Sequence, residues 1–538
     1  MQRQKENCEL MEAVREAIGR GKGSRRVWRI GLLGLAGVVM MASCAAPPPP
    51  PLVSVSVRTA PLGSAIPPGF VGMSLEVSTL GQGLPVPSKG QQLASEIHPQ
   101  GQFVYALGKP GDPNQGYFQL MRNLGHATLR LGGNSQDNTC WDKSAAPHPK
   151  LCGAAIGPGK MKLWSEAARA TGWRLILGIN LKQNSPAWAL GEVTRGVARY
   201  MKPSEVEALE IGNEPSQFRG KGRPKNYSVQ DYLHDYLGYA RAFAANPVAK
   251  QYALAGPTAC CAWENTKDLT AFMDALRHSN LKLVTVHEYV TSVCHGPNVT
   301  IAQLLEPETT ERFIRRARRW VAAAQERGLP IALAETNSTS CGGMTGVSNA
   351  FASAVWGLDY MFQAAQAGFS SINFHTSYKT GGSAYNPIVT TGIQNASGHW
   401  SYTNIAQPLY YAMYLFARKA EGKRFLSTTV KTTANVPAYA VSSCPSCAVR
   451  VFLINKDLKA SGRARVRVVG RHSPATLLVL RAPTLSSTAT AVRYGGQPFS
   501  SDGQIGAPQT ETVTANSRGE YVFNLPNASA ALLTVAAK

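Results

Sequence analysis

Eight short apolar runs recur between residues 70 and 378, and stretches with helical periodicity separate them. Most of the runs are continuous rather than alternating, which is typical of parallel strands covered on both faces. The clearest helical stretches are Val229–Ala245 and Thr310–Arg327. Strand–helix alternation repeated eight times predicts a (β/α)8 barrel, an α/β fold. The eight predicted strands are Phe70–Val77, Ala127–Leu131, Arg174–Asn180, Ala208–Gly212, Tyr252–Pro257, Leu283–Tyr289, Ile331–Glu335 and Ser371–His375.

The pattern changes after about residue 420, where the runs become alternating or β-branched and turn residues separate them. This predicts a C-terminal antiparallel β-sandwich. Leu52–Thr59 also alternates, and we expect it to add a strand to that domain although it precedes the barrel. The predicted sandwich strands are Tyr439–Val441, Ala448–Ile454, Ala464–Val469, Ala475–Leu480 and Glu520–Leu525.

The N-terminus has the pattern of a targeting segment. Three arginines precede the apolar run Ile30–Ala42, which is too short to span a bilayer comfortably and suits a signal peptide. Met41-Ala42-Ser43-Cys44 resembles the lipobox of bacterial lipoproteins, which makes Cys44 the expected lipidated residue. Pro47–Pro51 then forms a stiff tether. We expect an exported protein, either lipid-anchored to the cell envelope or secreted; a membrane anchor without lipid is the alternative.

These patterns together predict four parts of the chain. Residues 1–43 form a signal segment, and 44–61 a lipid-anchored Pro-rich tether with the N-terminal strand. Residues 62–420 form the barrel, and 421–538 the β-sandwich domain.

The chain carries a net charge of +23. Such an excess favours anionic partners such as nucleic acid, acidic glycans or lipid head groups, and a basic surface that only keeps the protein soluble is the alternative. Export and the lack of a recognisable nucleic-acid motif oppose a nucleic-acid binder. The sequence has no metal cluster, phosphate loop or dinucleotide fingerprint, so we expect neither a metal nor another cofactor.

Disulfides are expected because the chain has ten cysteines and an export signal. Cys140 and Cys152 bracket a loop that they could close. Cys444 and Cys447 form a lone CxxC pair, which favours a local disulfide or two free thiols over a zinc site. Four further cysteines follow predicted strands, so that some of them could pair near one face of the barrel: Cys260, Cys261, Cys294 and Cys341.

Two glutamates stand at the carboxyl ends of predicted strands, where barrel enzymes place their catalytic groups. Glu214 follows the fourth strand in Asn213-Glu214-Pro215, and Glu335 ends the seventh. Glycoside hydrolysis requires such a pair, because one carboxyl protonates the leaving oxygen and the other attacks the anomeric carbon or activates water. A single strand-end glutamate could be a structural acid, but two at these strands indicate catalysis.

Four motifs resemble glycoside hydrolase clan A and, within it, family 79, the β-glucuronidase and heparanase family. The resemblance spans roughly residues 60–538 and includes the family's C-terminal domain around Ala448–Asn455. The motifs are Gly72–Val77, Leu129–Ser135, Glu210–Phe218 and Glu335–Ser338.

The resemblance implies a role for each matching residue. Glu214 would be the general acid/base and Glu335 the nucleophile. Asn213 would bind the sugar 2-hydroxyl. Arg130 would keep Glu335 ionised, with a structural salt bridge as the alternative. Tyr289 would contact the substrate and orient Glu335, with a purely packing aromatic as the alternative. Sugar contacts are also implied for Glu76, Asn134 and Tyr385, the last beside the C6 group.

The expected function is therefore hydrolysis of β-glucuronosides or related glycans with retention of configuration. The segment Thr339–Gly343 has no clear match to the family's uronate contacts. A β-glycosidase for a neutral sugar thus stays an alternative, as does a non-catalytic binder of acidic polysaccharide. Glu288 precedes Tyr289 and should point the opposite way along its strand, away from the pocket.

Overall fold

The computed structural model describes residues 51–77, 102–103, 106–141, 154–294, 296, 298–377 and 383–537. The expected signal segment, the lipobox with Cys44, and Cys152 lie outside these residues. Within the described ranges, no helix combines the length and apolar character needed to cross a bilayer.

The described strands, in chain order, are β1 (Val53–Ala65), β2 (Val71–Glu76), β3 (Gln102–Phe103), β4 (Gly108–Lys109), β5 (Asp112–Pro113), β6 (Thr128–Gly132), β7 (Thr139–Trp141), β8 (Ala154–Ile156), β9 (Arg174–Ile179), β10 (Val206–Ile211), β11 (Leu254–Ala259), β12 (Leu281–Ser292), β13 (Ile331–Ser340), β14 (Ser371–Thr376), β15 (Ile388–Gln394), β16 (Trp400–Ala406), β17 (Arg424–Thr432), β18 (Ala438–Ser442), β19 (Val449–Asn455), β20 (Gly462–Val468), β21 (Ala475–Arg481), β22 (Arg493–Tyr494), β23 (Glu511–Val513), β24 (Glu520–Leu525) and β25 (Ser529–Val535).

The described α-helices are α1 (Gln115–Asn123), α2 (Pro158–Thr171), α3 (Pro186–Glu192), α4 (Ala198–Tyr200), α5 (Val229–Ala245), α6 (Thr266–Ala275), α7 (Ile301–Leu305), α8 (Pro307–Gln325), α9 (Phe351–Ala367) and α10 (Pro408–Lys419).

A closed barrel of eight parallel strands forms the first part of the fold, in the order β2, β6, β9, β10, β11, β12, β13 and β14 around the ring. Each of these strands corresponds to one predicted from the sequence, so the prediction of a (β/α)8 barrel is confirmed. One end of the barrel interior is filled by small or aliphatic side chains, namely Ile176, Ala208, Ala255, Leu283 and Ala332. Nearer the carboxyl ends of the strands, the interior becomes polar.

Helices surround the barrel, and the two predicted most clearly are both present. α5 has the predicted bounds and begins at a capping box, in which the Ser228 hydroxyl accepts from the Asp231 N–H and the Asp231 carboxylate accepts from the Ser228 N–H. α8 starts three residues before its predicted start. Arg315 and Arg316 on this helix are exposed, as expected for the solvated face of an amphipathic helix.

The C-terminal domain is built from a largely antiparallel sheet of ten described strands. β1 lies inside this sheet, antiparallel to β17 and parallel to β20, so the prediction for Leu52–Thr59 is confirmed. One face of the sheet closes around its own apolar core, to which β1 contributes Val53, Val55 and Val57. The antiparallel β-sandwich predicted from the alternating pattern is therefore present.

The other face of this sheet packs against helix α9 of the barrel. Phe362 of α9 stacks on Tyr439, with ring centroids 4.5 Å apart, and also contacts Phe452 at 4.8 Å. A buried ion pair lies in the same interface, since Lys456 Nζ donates to Asp359 Oδ2 over 2.6 Å and Tyr439 Oη donates to Asp359 Oδ1. Apolar packing and a paired buried charge therefore join the barrel to the sheet.

Two disulfides lie in the described part of the chain. Cys294–Cys341 joins the segments that follow β12 and β13, which confirms that some of the strand-end cysteines pair near one face. Cys444–Cys447 is the local disulfide expected from its spacing. The loop closure expected for Cys140 and Cys152 stays a prediction, because Cys152 is not among the described residues.

Candidate active site

Glu214 and Glu335 lie at the carboxyl ends of the fourth and seventh barrel strands. Glu335 is within β13, whereas Glu214 follows β10 in a left-handed conformation with a φ of 47°. Such a backbone costs on the order of 1–3 kcal/mol for a non-glycine residue and persists only where its surroundings enforce it. The turn leaves the Glu214 side chain 18% exposed and that of Glu335 6% exposed. Glu214 therefore faces the barrel mouth, and Glu335 lies deeper.

The two carboxyl groups are close together. Three atoms lie within 4.8 Å of one another: one oxygen of Glu214, one oxygen of Glu335 and a ring nitrogen of His287. Retaining glycosidases hold their two carboxyls about 5–5.5 Å apart, and inverting enzymes hold them about 6.5–9.5 Å apart. The trio could also serve as donors to a cation, but Arg130 already places a positive charge 2.7 Å from Glu335. The spacing fits direct attack by one carboxylate rather than attack by an interposed water.

Arg130 is the centre of the polar layer inside the barrel, and its side chain is fully buried. Its Nε donates to Glu210 over 2.5 Å, and Nη1 donates to Glu335 over 2.7 Å and to Ser74 over 3.1 Å. Nη2 donates to Asn213 Oδ1 over 2.7 Å. Burial alone would lower the pKa of Arg130, but the charges of Glu210 and Glu335 raise it. The guanidinium is thus a fixed positive charge that orients both Glu335 and Asn213.

Several groups stabilise the ionised form of Glu335. Burial by itself would raise its pKa, but the charges of His375, His287 and Arg130 outweigh that effect. A hydrogen bond from Tyr289 Oη to Glu335 Oε1, 2.8 Å long, acts in the same direction. The pKa of Glu335 is consequently held well below its usual range. The carboxylate is unprotonated at neutral pH, as a nucleophile must be.

His287, a residue not predicted from the sequence, connects the two carboxyl groups. Its Nδ1 lies 3.0 Å from Glu214 Oε1 and 3.9 Å from Glu335 Oε2. The strand pattern could have identified this residue, because His287 is two residues before Tyr289 on β12 and alternate positions of a strand face the same side. The imidazole is thus in hydrogen-bond contact with the more exposed carboxyl.

His375, on the eighth barrel strand, is a second residue missed from the sequence. Its Nδ1 is 3.0 Å from the Ser74 hydroxyl and 3.8 Å from Glu335 Oε2, and its Nε2 is 3.6 Å from Glu76 Oε1. Burial opposes its charge, but Glu335 and Glu76 raise its pKa above the usual value for histidine. His375 therefore lies beside Oε2 of Glu335, the carboxylate oxygen that Tyr289 does not contact.

Asp137 fixes the ends of two barrel strands beneath the site. Its Oδ2 accepts from the Asn213 N–H over 2.8 Å, and its Oδ1 accepts from the N–H groups of Leu181 and Lys182. Burial raises the pKa of Asp137 to about 6, although these hydrogen bonds oppose the shift. Because Asn213 is held through both its backbone and its Oδ1, its Nδ2–H₂ group is the part that can reach a sugar hydroxyl.

The other residues expected to bind sugar differ in how far the structure supports direct contact. Glu76 is engaged by the protein: its carboxylate accepts from the N–H of Asn134 and from the N–H and hydroxyl of Ser135. It therefore holds the loop after β6 in place. Asn134 contributes its backbone to this contact and has an exposed side chain. Tyr385 is buried, and its ring centroid lies 6.0 Å from those of Tyr289 and His375, so it belongs to the wall around Glu335.

Glu288 points away from the pocket, as the alternation along β12 requires. Its carboxylate is 2.6 Å from Arg316 on α8, and the same guanidinium is 3.8 Å from Glu264. Burial raises the pKa of Glu288 to about 7, although Arg316 opposes the shift. The ion pair between Glu288 and Arg316 lies between the barrel and its helices. It contributes nothing to the two carboxylates, Glu214 and Glu335, at the barrel mouth.

A (β/α)8 barrel with paired carboxylates at the ends of strands four and seven, followed by a β-sandwich, is the architecture of a class of glycoside hydrolases. Comparison with known families identifies a more specific similarity within that class. Residues 438–532 match the model described as "Glycosyl hydrolase family 79 C-terminal beta domain". The C-terminal domain is thus similar to that of glycoside hydrolase family 79.

Individual proteins extend the relationship into the barrel. The chain is 24% identical over 344 residues to a β-glucuronidase of Neurospora crassa, which covers 57% of this chain and 60% of the relative. It is 25% identical over 320 residues to a β-glucuronidase of Aspergillus niger, covering 52% and 56% of the two chains. The chain thus spans between half and two thirds of the length of these curated relatives.

A solved structure supports the fold across both domains. The 4-O-α-L-rhamnosyl-β-D-glucuronidase of Fusarium oxysporum superposes with a TM-score of 0.67, covering 90% of this chain and all of that one. The sequence identity is 20%, so this similarity concerns the fold.

Proposed function

We propose that the protein is a retaining β-glycoside hydrolase that cleaves β-glucuronosides or related glycans by double displacement. The observation that carries this proposal is the pair of carboxyl groups with oxygen atoms within 4.8 Å of each other, one partly exposed at the barrel mouth and one held ionised beneath it. A binding protein needs neither the proximity nor the difference in environment between the two acids.

In the first displacement, Glu335 attacks the anomeric carbon while protonated Glu214 gives its proton to the leaving oxygen. The glycosidic bond breaks, the aglycone leaves as an alcohol, and the sugar is bound to Glu335 as an ester. Arg130, Tyr289 and the two histidines hold the attacking carboxylate in place. The Asn213 amide would donate to the 2-hydroxyl, a contact that strengthens as the oxocarbenium-like transition state forms.

In the second displacement, ionised Glu214 removes a proton from water, which attacks the same anomeric carbon. The ester bond to Glu335 breaks, and the sugar leaves with its original β configuration. His287, whose Nδ1 is 3.0 Å from Glu214 Oε1, holds this carboxyl in place through both steps. Glu214 thus serves as acid and then as base, and ends the cycle protonated.

The glucuronoside preference rests on the relatives, both of which are described as β-glucuronidases. The test is a panel of matched chromogenic β-glucuronide, β-glucoside and β-xyloside substrates. Because hydrogen bonds to a charged group contribute about 1.5–3 kcal/mol, we expect kcat/KM for the glucuronide to exceed the others by about tenfold or more. A glucoside preference would establish the neutral-sugar alternative. Binding of acidic polysaccharide without turnover of any substrate would establish the non-catalytic one.

We also propose that the protein is exported and held to a membrane by a lipid on Cys44. The basic and apolar pattern before Cys44 supports this, and so do the two disulfides, which are typical of oxidising compartments. We expect Cys44→Ala to move the protein from the membrane fraction to the soluble fraction with its activity retained. A variant that fractionates with membranes as the parent does would contradict the lipid anchor.

A further inference from the structure

Two adjacent cysteines lie beside the candidate acid/base. Cys260 and Cys261 directly follow β11, the barrel strand next to the one that leads into Glu214. Among the described residues, neither is joined to another cysteine, and their sulfur atoms are 2.7 Å apart in hydrogen-bond contact. Cys260 is buried, and Cys261 is exposed. One thiol of the pair is therefore open to solvent, and the second lies directly behind it.

The pair is packed against the turn that carries Glu214. The Gln217 side-chain amide is 3.3 Å from Cys261 Sγ and 3.9 Å from Cys260 Sγ, and the Ser216 hydroxyl lies 3.5 Å from the carbonyl oxygen of Cys260. Ser216 and Gln217 belong to the short 3-10 helix that begins immediately after Glu214. The sulfur atoms thus contact the Gln217 side chain, and the Cys260 backbone contacts Ser216, both on the segment that follows the acid/base.

The two thiols differ in burial and in the direction of their pKa shifts. The hydrogen bond between them lowers the pKa of Cys261 and raises the pKa of Cys260. The exposed sulfur thus has the greater thiolate character, and the thiolate is the form that attacks disulfides. The buried sulfur keeps its proton and stands within reach of any adduct formed on Cys261. This is the arrangement of an attacking and a resolving cysteine.

We propose that Cys260 and Cys261 are a thiol–disulfide exchange site that closes to a vicinal disulfide on reaction with a low-molecular-weight disulfide. The Cys261 thiolate attacks one sulfur of the reagent, whose S–S bond breaks and releases a first thiolate. Cys260 loses its proton to that thiolate and attacks Cys261 Sγ, which releases the second thiolate. The proton that Cys261 lost when it ionised protonates this second thiolate. The two cysteines are oxidised by two electrons, and the reagent is reduced to two thiols. This site lies outside the proposed glycosidase chemistry.

Reduction of the closed form should be selective. Adjacent residues have Cα atoms about 3.8 Å apart, whereas disulfides normally join Cα atoms about 4.4–6.8 Å apart. A bond between neighbours is therefore strained and more easily reduced. The Cα atoms of Cys294–Cys341 and Cys444–Cys447 are 5.4 Å and 5.0 Å apart, inside the usual range. Mild reducing conditions are expected to open the vicinal bond and leave these two closed.

The test treats the full-length protein with cystamine, alkylates the remaining thiols, and measures the mass of the peptide that contains both cysteines. We expect that peptide to lose two hydrogen atoms and to escape alkylation, and mild reduction to restore both thiols. Alkylation of both cysteines after treatment would overturn the proposal. Because this readout needs no substrate, it is independent of whether the glycosidase proposal holds.

Two single variants separate the roles of the thiols. In Cys260→Ser, the mixed disulfide with cystamine should accumulate on Cys261, because no resolving thiol remains. In Cys261→Ser, reaction with cystamine should be slowed at least about tenfold, because the buried thiol is protonated. Equal reaction of both variants would overturn the assignment of roles. The thermal midpoint of each variant serves as the control for folding, and the experiment on the parent protein stands if either variant fails to fold.

Discussion

Glu335→Ala is expected to lose hydrolysis of every glycoside that the parent protein cleaves, by about 10⁴-fold or more in kcat, because no covalent intermediate can form. The loss should be independent of the leaving group, since the missing nucleophile is needed for all of them. Steady-state kinetics on a substrate with a good leaving group measures the effect. Intact-mass analysis during turnover of a slow substrate should show a glycosyl adduct on the parent and none on the variant.

Glu288→Gln is the matched control for this loss. Glu288 is also a glutamate of a barrel strand, but its carboxylate contacts Arg316 and faces away from the pocket. We expect this variant to keep activity close to that of the parent. Full activity in Glu335→Ala, or an equal loss in Glu288→Gln, would contradict the assignment of the nucleophile.

Tyr289→Phe is a companion variant that tests how the nucleophile is kept ionised. The hydrogen bond from Tyr289 lowers the pKa of Glu335, so its removal raises that pKa. Activity requires ionised Glu335, and the acidic limb of the kcat/KM profile should therefore move to higher pH in the variant. An unchanged acidic limb with a uniformly lower rate would show that Tyr289 acts only by packing.

Glu214→Ala should produce a loss that depends on the leaving group. With poor leaving groups, protonation is essential, and we expect kcat/KM to fall by about 10²–10⁴-fold. With good leaving groups, which depart as stable anions, the first displacement should be much less affected and the glycosyl ester on Glu335 should accumulate. The measurement is kcat/KM across a series of aryl glycosides of increasing leaving-group pKa, which should give a steeper dependence for the variant.

Azide distinguishes this role from a structural one. A small anion can enter the space left by the side chain and attack the glycosyl ester without a general base, so azide should restore turnover of the activated substrates. The product should be the β-azido sugar, because two inversions retain configuration. An α-azido product, or no rescue together with a uniform loss on all substrates, would contradict Glu214 as the acid/base. Glu335→Ala in the same azide provides the comparison.

The barrel could be predicted because each of its strands is covered on both faces and begins with a mostly apolar run. The ends of two strands could not be predicted in this way. β12 and β13 continue to Ser292 and Ser340, well beyond the apolar runs, since Thr336 pairs with Glu288 and Thr339 with Thr291 in the same ladder. Backbone hydrogen bonding between the two neighbouring strands extends β12 and β13 at these polar positions. The hydrophobic pattern of the sequence therefore does not predict the extension.

The carboxylate pair could be predicted from local sequence, since each glutamate comes at or shortly after the end of an apolar run. Its surroundings could not. His287 shares a strand face with Tyr289, but no local pattern indicates that His287, on the sixth strand, and His375, on the eighth, both approach Glu335. Asp137 is equally inconspicuous, although it holds the strand ends on which Asn213 and Glu214 depend. These contacts arise from closure of the barrel, which brings together side chains that are far apart in the chain.

The position of β1 has a consequence for how the chain is assembled. Val53 pairs with Thr432 on one side and with Ala464 on the other, so the first described strand is a central strand of a sheet whose other members are all synthesised hundreds of residues later. During synthesis, β1 must therefore stay without its neighbouring strands, and its apolar face without its core, until most of the chain has been made. Contacts between such distant segments also form slowly. Without β1, β17 and β20 would each present an open edge in the middle of the domain. Shortening the chain past residue 51 would consequently damage its far end, even though the barrel sequence in between is untouched.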